Sequence, residues 1–230
     1  MTSSRERFLE RVREAVEAGN RAGDTAALAA RGQTGYQGAG PDPVARFCGE
    51  CTAAGGFPYV VPDRTAASAK VVELVQAKAV RRALLGRGSF LDSLELSGPL
   101  AERGVEVTSV DGLTPASSRD PFFAADVGIS GVDYLIAETG SVALLARPTE
   151  PRSLSLLPPV HIAVAEVAQL LPDLFDLFSI LARQGQADQL PSIPSCLSLI
   201  TGPSKTGDIE LTLVTGVHGP GAVHVVLLRR

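Results

Sequence analysis

The chain has 230 residues, 45% hydrophobic and 20% charged, with 25 acidic against 21 basic side chains and a formal net charge of −4. So much apolar material excludes global disorder and suits one α/β domain with a small appendage. The acidic balance, the absence of tryptophan and an aromatic share of 5% argue against a nucleic-acid surface built on basic patches or base stacking.

Residues 4–18 carry an amphipathic helical pattern, with Phe8, Leu9, Val12, Ala15 and Val16 on one stripe. Met1 to Arg7 is charged and lacks the apolar core of a secretory signal, and no apolar run approaches the ~20 residues that cross a bilayer. A cytoplasmic location without a membrane span is therefore expected. Residues 19–41, rich in Gly, Ala and polar side chains, have no apolar period and read as a flexible arm. The expected organisation is an N-terminal helix and arm over 1–41 and an α/β domain over 42–230. The N-terminal helix is expected to dock on its own domain or a second protomer, which admits a homo-oligomer.

Asp42 as N-cap and Pro43 at the first helical position open a helix over 43–54, stopped by Gly55-Gly56. Cys48 and Cys51 fall inside that helix and Cys196 is remote in sequence. A zinc or cluster site needs four ligands at recognisable spacings, so the three thiols read as small hydrophobes and no metal site is expected. A strand follows at 57–61, then an Asp63-capped helix over 64–79, an apolar run at 83–85, a helix over about 90–103 and a strand at 105–107. Residues 163–181 read as a longer helical region with Phe175 and Phe178 in the core, and 223–228 as a buried strand. Helices alternating with short strands predict a Rossmann-like parallel sheet with helices on both faces.

Two polar turns stand out. Glu138-Thr139-Gly140-Ser141 lies between β-compatible runs at 134–137 and 142–146, and reads as a reversal presenting a carboxylate and two hydroxyls. Gly202-Pro203-Ser204-Lys205-Thr206-Gly207-Asp208 follows a β-rich run at 196–200. With Asp208 as N-cap of a helix over 209–214, this loop would offer backbone N–H groups, Lys205 and the Ser204 and Thr206 hydroxyls to an anion. It is not a Walker A motif, since Lys205 precedes Gly207, and no G-x-G-x-x-G follows a strand. His224 and His161 sit in apolar contexts and read as structural. His218, flanked by Gly216, Gly219 and Pro220, reads as a ligand-contacting or proton-transferring group. Loops after parallel strands converge outside the strands' carboxyl ends. The candidate ligand-binding set is therefore Glu138, Thr139, Gly140, Ser141, Gly202, Ser204, Lys205, Thr206, Asp208 and His218, with no catalytic residue assigned.

The succession of residues 126–130 (DVGIS), 136–141 (IAETGS), 157–162 (LPPVHI), 200–210 (ITGPSKTGDIE) and 216–220 (GVHGP) resembles the lactate-utilisation (LUD) domain family, in particular its small single-domain members. The resemblance implies a fold similar to the NagB/RpiA/CoA-transferase group. It implies a role, beside iron–sulfur partner proteins that carry the clusters, in oxidising L-lactate to pyruvate. This chain would bind a small carboxylate or phosphorylated ligand and hold no cofactor of its own. The implied fold also leaves two alternatives: an acyl-CoA-transferase-like enzyme using Glu138 as nucleophile, and a non-catalytic assembly factor.

Overall fold

The computed structural model describes residues 4–19, 38–114, 119–186, 196–207 and 213–229. The chain divides into two units, Met1–Tyr36 and Gln37–Arg230. In the first, α1 (Ser4–Gly19) is the expected helix, and its Phe8, Leu9, Val12 and Val16 are exposed. The arm expected to follow it lies, over 20–37, outside the described residues.

In the second unit, α2 (Pro43–Ala53) starts where Asp42 accepts the Ala45 N–H at 3.0 Å. After β1 (Phe57–Val61), Asp63 caps α3 (Arg64–Ala77) in the same way, taking the Ala66 N–H at 2.8 Å. Next come β2 (Arg82–Leu85), α4 (Ser89–Asp92), α5 (Ser97–Ala101) and β3 (Glu106–Ser109). The single helix expected over 90–103 is thus two short ones. Glu95 adopts φ +48, and Pro99 has no N–H to carry a helical ladder through. α6 (Arg119–Ala124) leads to β4 (Val127–Ser130), β5 (Tyr134–Ile136), β6 (Ser141–Leu145), α7 (Arg152–Leu156) and β7 (Val160–Glu166).

β7 occupies the first part of what read as a long helix. Its alanines, Ala163 and Ala165, are fully buried on the sheet, where a small side chain lets the layer above approach closely. Helix begins only at α8 (Leu174–Gln186), after the two-residue β8 (Leu170–Leu171). Phe175 and Phe178, expected in the core, are 55% and 53% exposed, while Leu177 of the same helix is fully buried. The chain closes with β9 (Leu197–Ile200), β10 (Lys205–Gly207), β11 (Leu213–Thr215) and β12 (Ala222–Leu228).

Six strands form one parallel sheet in the order β1-β12-β7-β4-β2-β3. Successive side chains of a strand point to opposite faces. Ile162, Val164, Val226 and Leu228 thus meet the helical layer of α3 to α5, contributed by Val71, Val75, Leu91 and Leu100. Ala163, Ala165, Val225 and Leu227 face α2, whose Phe47 and Cys51 are buried, and a second sheet in the order β8-β5-β6-β9. Leu135, Ala137 and Val142 of that smaller sheet seal this side. Burying each large side chain of these layers contributes roughly 1.5–3 kcal/mol.

The chain passes from β2 outward to β3, then returns to place β4 on the other side of β2. Winding reverses at that point, so the loops leaving β2 and β4 diverge and open a crevice between them.

Candidate functional site

The two polar turns do come together, on the end of α2 rather than at the crevice. The Ser141 hydroxyl bridges Thr139 Oγ1 at 2.7 Å and Thr201 Oγ1 at 2.6 Å, which ties the β5–β6 turn to the end of β9. Gly140, at φ +63, lies so close to α2 that a Cβ would collide with the backbone N of Cys51, and one on Gly202 (φ +75) would collide with the Ala54 carbonyl oxygen. Lys205 Nζ donates to that same carbonyl at 2.6 Å. A cation at a helix C-terminus meets the negative end of its dipole and an orphan carbonyl, which is a favourable cap.

Of the helix expected over 209–214, residues 213 and 214 belong instead to a strand, and 208–212 lie outside the described residues. β10 and β11 form an antiparallel hairpin pairing Lys205 with Thr215 and Gly207 with Leu213. Asp208 itself lies outside the described residues. Ser204 is anchored by its backbone, its N–H on the Pro220 carbonyl and its carbonyl on the Gly216 N–H, both 2.9 Å. This brings the exposed His218 loop beside Ser204, while Thr206 is half-buried within β10. Glu138 is half-buried at the opposite side of its turn, its N–H on the Pro172 carbonyl at 3.0 Å.

The other two histidines line the sheet's interior. His161 is fully buried, with Nε2 2.9 Å from Ser130 Oγ and Nδ1 without a hydrogen bond. Burial, aided by the charge of His224, pulls its pKa down to about 4. His224 stacks on Phe57 at 4.9 Å between ring centroids and places Nδ1 3.2 Å from the Tyr59 hydroxyl; burial, then Lys78, lowers it to about 4. Both are neutral at physiological pH, in keeping with structural roles. The thiols of α2 are equally inert: burial pushes Cys51 up to about 11 and also raises Cys48.

The crevice at the switch point has a volume of about 300 Å³. Its floor is Arg87-Gly88 after β2 and Gly131-Val132 after β4, and Gln169, beyond β7, donates to the Val132 carbonyl. One wall is the turn 147–150, closed by reciprocal backbone hydrogen bonds between Arg147 and Glu150 and fastened to the floor by the Arg87 N–H on the Thr149 carbonyl at 3.0 Å.

Glu150 points into the notch between the two floor loops. Its Oε1 accepts the Gly131 N–H at 2.6 Å and lies 3.1 Å and 2.9 Å from where a Cβ on Gly86 or Gly131 would stand. Two glycines therefore make room for one carboxyl. Desolvation pushes that carboxyl up to about 7; the Gly131 N–H opposes the shift and Asp133 adds to it. The sequence reading missed Glu150, Arg87 and Arg147. The signal available was Gly86-Arg87-Gly88 directly after an apolar strand; the Pro148-Thr149-Glu150-Pro151 stretch looks like ordinary punctuation.

Neighbouring residues fix the strands and turns that carry the crevice, Asp126 from the amino ends of β2 and β4. Asp126 accepts the Arg81 and Arg82 N–H groups at 2.8 and 2.9 Å, setting β2 against β4. Gly128 lets the α7 backbone approach β4 so closely that a Cβ would strike the Leu154 carbonyl oxygen. Asp133 accepts the Leu145 N–H at 2.6 Å and pairs with Arg147.

A doubly wound parallel sheet with a polar crevice at its switch point defines a Rossmann-like α/β protein. Residues 44–228 match the LUD domain, and the chain belongs to that family. The chain is 36% identical over 129 residues to lactate utilization protein C of Geobacillus kaustophilus, covering 54% of this chain and 53% of that one. It is 39% identical over 104 residues to the Bacillus subtilis protein of the same name, covering 45% and 42%. The chain thus spans about half the length of the curated relatives it matches. The crystal structure of a DUF162 family protein from Deinococcus radiodurans shares the fold, with a TM-score of 0.54 over 81% of this chain and 96% of that chain at 21% identity.

Proposed function

We propose that this chain is a component of an L-lactate utilisation system, acting with iron–sulfur partner proteins in the oxidation of L-lactate to pyruvate and binding a small carboxylate or phosphorylated ligand. The observation that carries the reading is membership of the LUD domain family over residues 44–228, beside relatives named for lactate utilisation. In this reading the electron-carrying clusters reside on the partners. This chain supplies a polar crevice of about 300 Å³, large enough to admit a three-carbon acid. The polar turns on α2 support such a role less well, because the Lys205 ammonium is already engaged by the Ala54 carbonyl.

The test is lactate-dependent reduction of a dye acceptor by the purified chain, by the iron–sulfur proteins, and by all together. Dye reduction that requires this chain as well as its partners is the expected result. Equal rates with and without the chain would overturn the proposal.

A further inference from the structure

Glu150 lines two spaces. It lines the open crevice together with Arg87 and Arg147, and it also lines a narrow cleft with Ser130, Ser155 and Arg152. In the cleft, Ser130 carries the contact to His161 Nε2. One oxygen of Glu150 is held by the Gly131 N–H, and no hydrogen bond to the other is found among the described residues.

The charges around it are strongly committed. Arg87 spans Asp92 (2.8 Å) and Asp111 (3.3 Å), and Arg147 gives one nitrogen to Asp133. Ionised, Glu150 would be a fourth carboxylate beside two guanidiniums; Arg152 faces the cleft, and the buried His161 beneath it is neutral. Desolvation and charge balance therefore both favour the acid form, which burial holds up to about 7. A neutral acid can donate its proton in a hydrogen bond and does not repel an anion.

We propose that the crevice at the carboxyl ends of β2 and β4 binds a small oxo- or hydroxy-carboxylate, with Glu150 as the carboxylic acid hydrogen-bonding the ligand's carbonyl or hydroxyl oxygen and Arg147 receiving its carboxylate. The ligand class rests on the function proposed above. The site and the role of Glu150 rest on the glycine notch, the free carboxyl oxygen and the unengaged donors of Arg147. Binding of an oxo-acid then requires the proton on Glu150, because a carbonyl oxygen only accepts, so the chain takes up a proton when it binds such a ligand at a pH where Glu150 is otherwise ionised.

The experiment is calorimetric titration of pyruvate and L-lactate between pH 6 and 8.5, in buffers of differing ionisation enthalpy, with wild type, Glu150→Gln and Arg147→Gln. Above pH 7 the wild-type Kd for pyruvate should rise about tenfold per pH unit, with uptake approaching one proton per ligand at pH 8. Glu150→Gln, whose amide still donates, should bind with a Kd independent of pH and without proton uptake. Arg147→Gln should weaken pyruvate several-fold while leaving pyruvamide, which lacks the carboxylate, unchanged. The same pH dependence in Glu150→Gln as in wild type would overturn the role of Glu150. Pyruvate affinity unaffected by both substitutions, or no binding of either acid at pH 6, would overturn the site. Each leaves the lactate-utilisation reading to its own dye-reduction test. Should Glu150→Gln fail to fold, proton uptake by wild type alone decides, since its absence at pH 8 refutes the coupling.

Discussion

The buried ionisable groups of this fold make its stability depend on pH in two opposing ways, and single substitutions separate them. His161 has an ordinary value of 6.5 when unfolded and about 4 when enclosed beside Ser130. Its contribution is fully present above 6.5 and is lost as the pH falls toward 4, because only the unfolded chain takes up the proton. Integrated between pH 7.5 and 5, that is a loss of about 2 kcal/mol. Glu150 runs the other way, from 4.5 unfolded to about 7 folded. The folded protein takes up the proton first, so this contribution is present at low pH and is lost as the pH rises through 7. Over the same interval it adds about 2 kcal/mol on acidification. His161→Leu should therefore shrink the acid-induced loss of stability by about 2 kcal/mol relative to wild type, and Glu150→Gln should enlarge it by a similar amount. Leaving Ser130 Oγ without its imidazole costs about 1–3 kcal/mol at both pH values and cancels from the comparison. Urea unfolding followed by circular dichroism at pH 7.5 and 5.0 measures the four differences needed. Variants that shift in parallel with wild type at both pH values would refute the assignment of these two groups as the opposing titrations.

Three further outcomes follow from the α2 junction. Gly140→Ala should destabilise the domain by about 3 kcal/mol or more, since the new methyl strikes the Cys51 backbone at a positive φ; the urea midpoint reads it. Lys205→Ala should cost roughly 1 kcal/mol through loss of the cap on Ala54, visible as a lower Tm, while the pyruvate titration stays unchanged; a binding loss without a melting loss would restore the turn cluster as the ligand site. Replacing Cys48 and Cys51 with Ala should leave ligand titration and lactate-linked activity intact, because both thiols are held protonated within a helix; loss of activity in a folded double variant would show a chemical role.

Local chemistry was legible from the amino-acid order alone. Asp42-Pro43 and Asp63 announce α2 and α3 because a capping carboxylate and the N–H that donates to it lie three residues apart. The short apolar runs that became β2 and β12 identify parallel strands because both faces are buried. Period was ambiguous where packing chose the side chains: the alanines of β7 suit a helix as well as a crowded sheet. The meeting of Glu138 to Ser141 with Gly202 to Lys205 was legible as a pair of polar turns, but not its place, since that depends on a second sheet laid over α2. Glu150 was illegible for the same reason. Its notch exists only because β4 returns to the far side of β2, which puts Gly86 and Gly131, 45 positions apart, around one carboxyl. Capping and period act within a few residues and are written in the chain, whereas strand order is set by which buried faces pack best across the whole domain, and that is decided only when the tertiary structure forms.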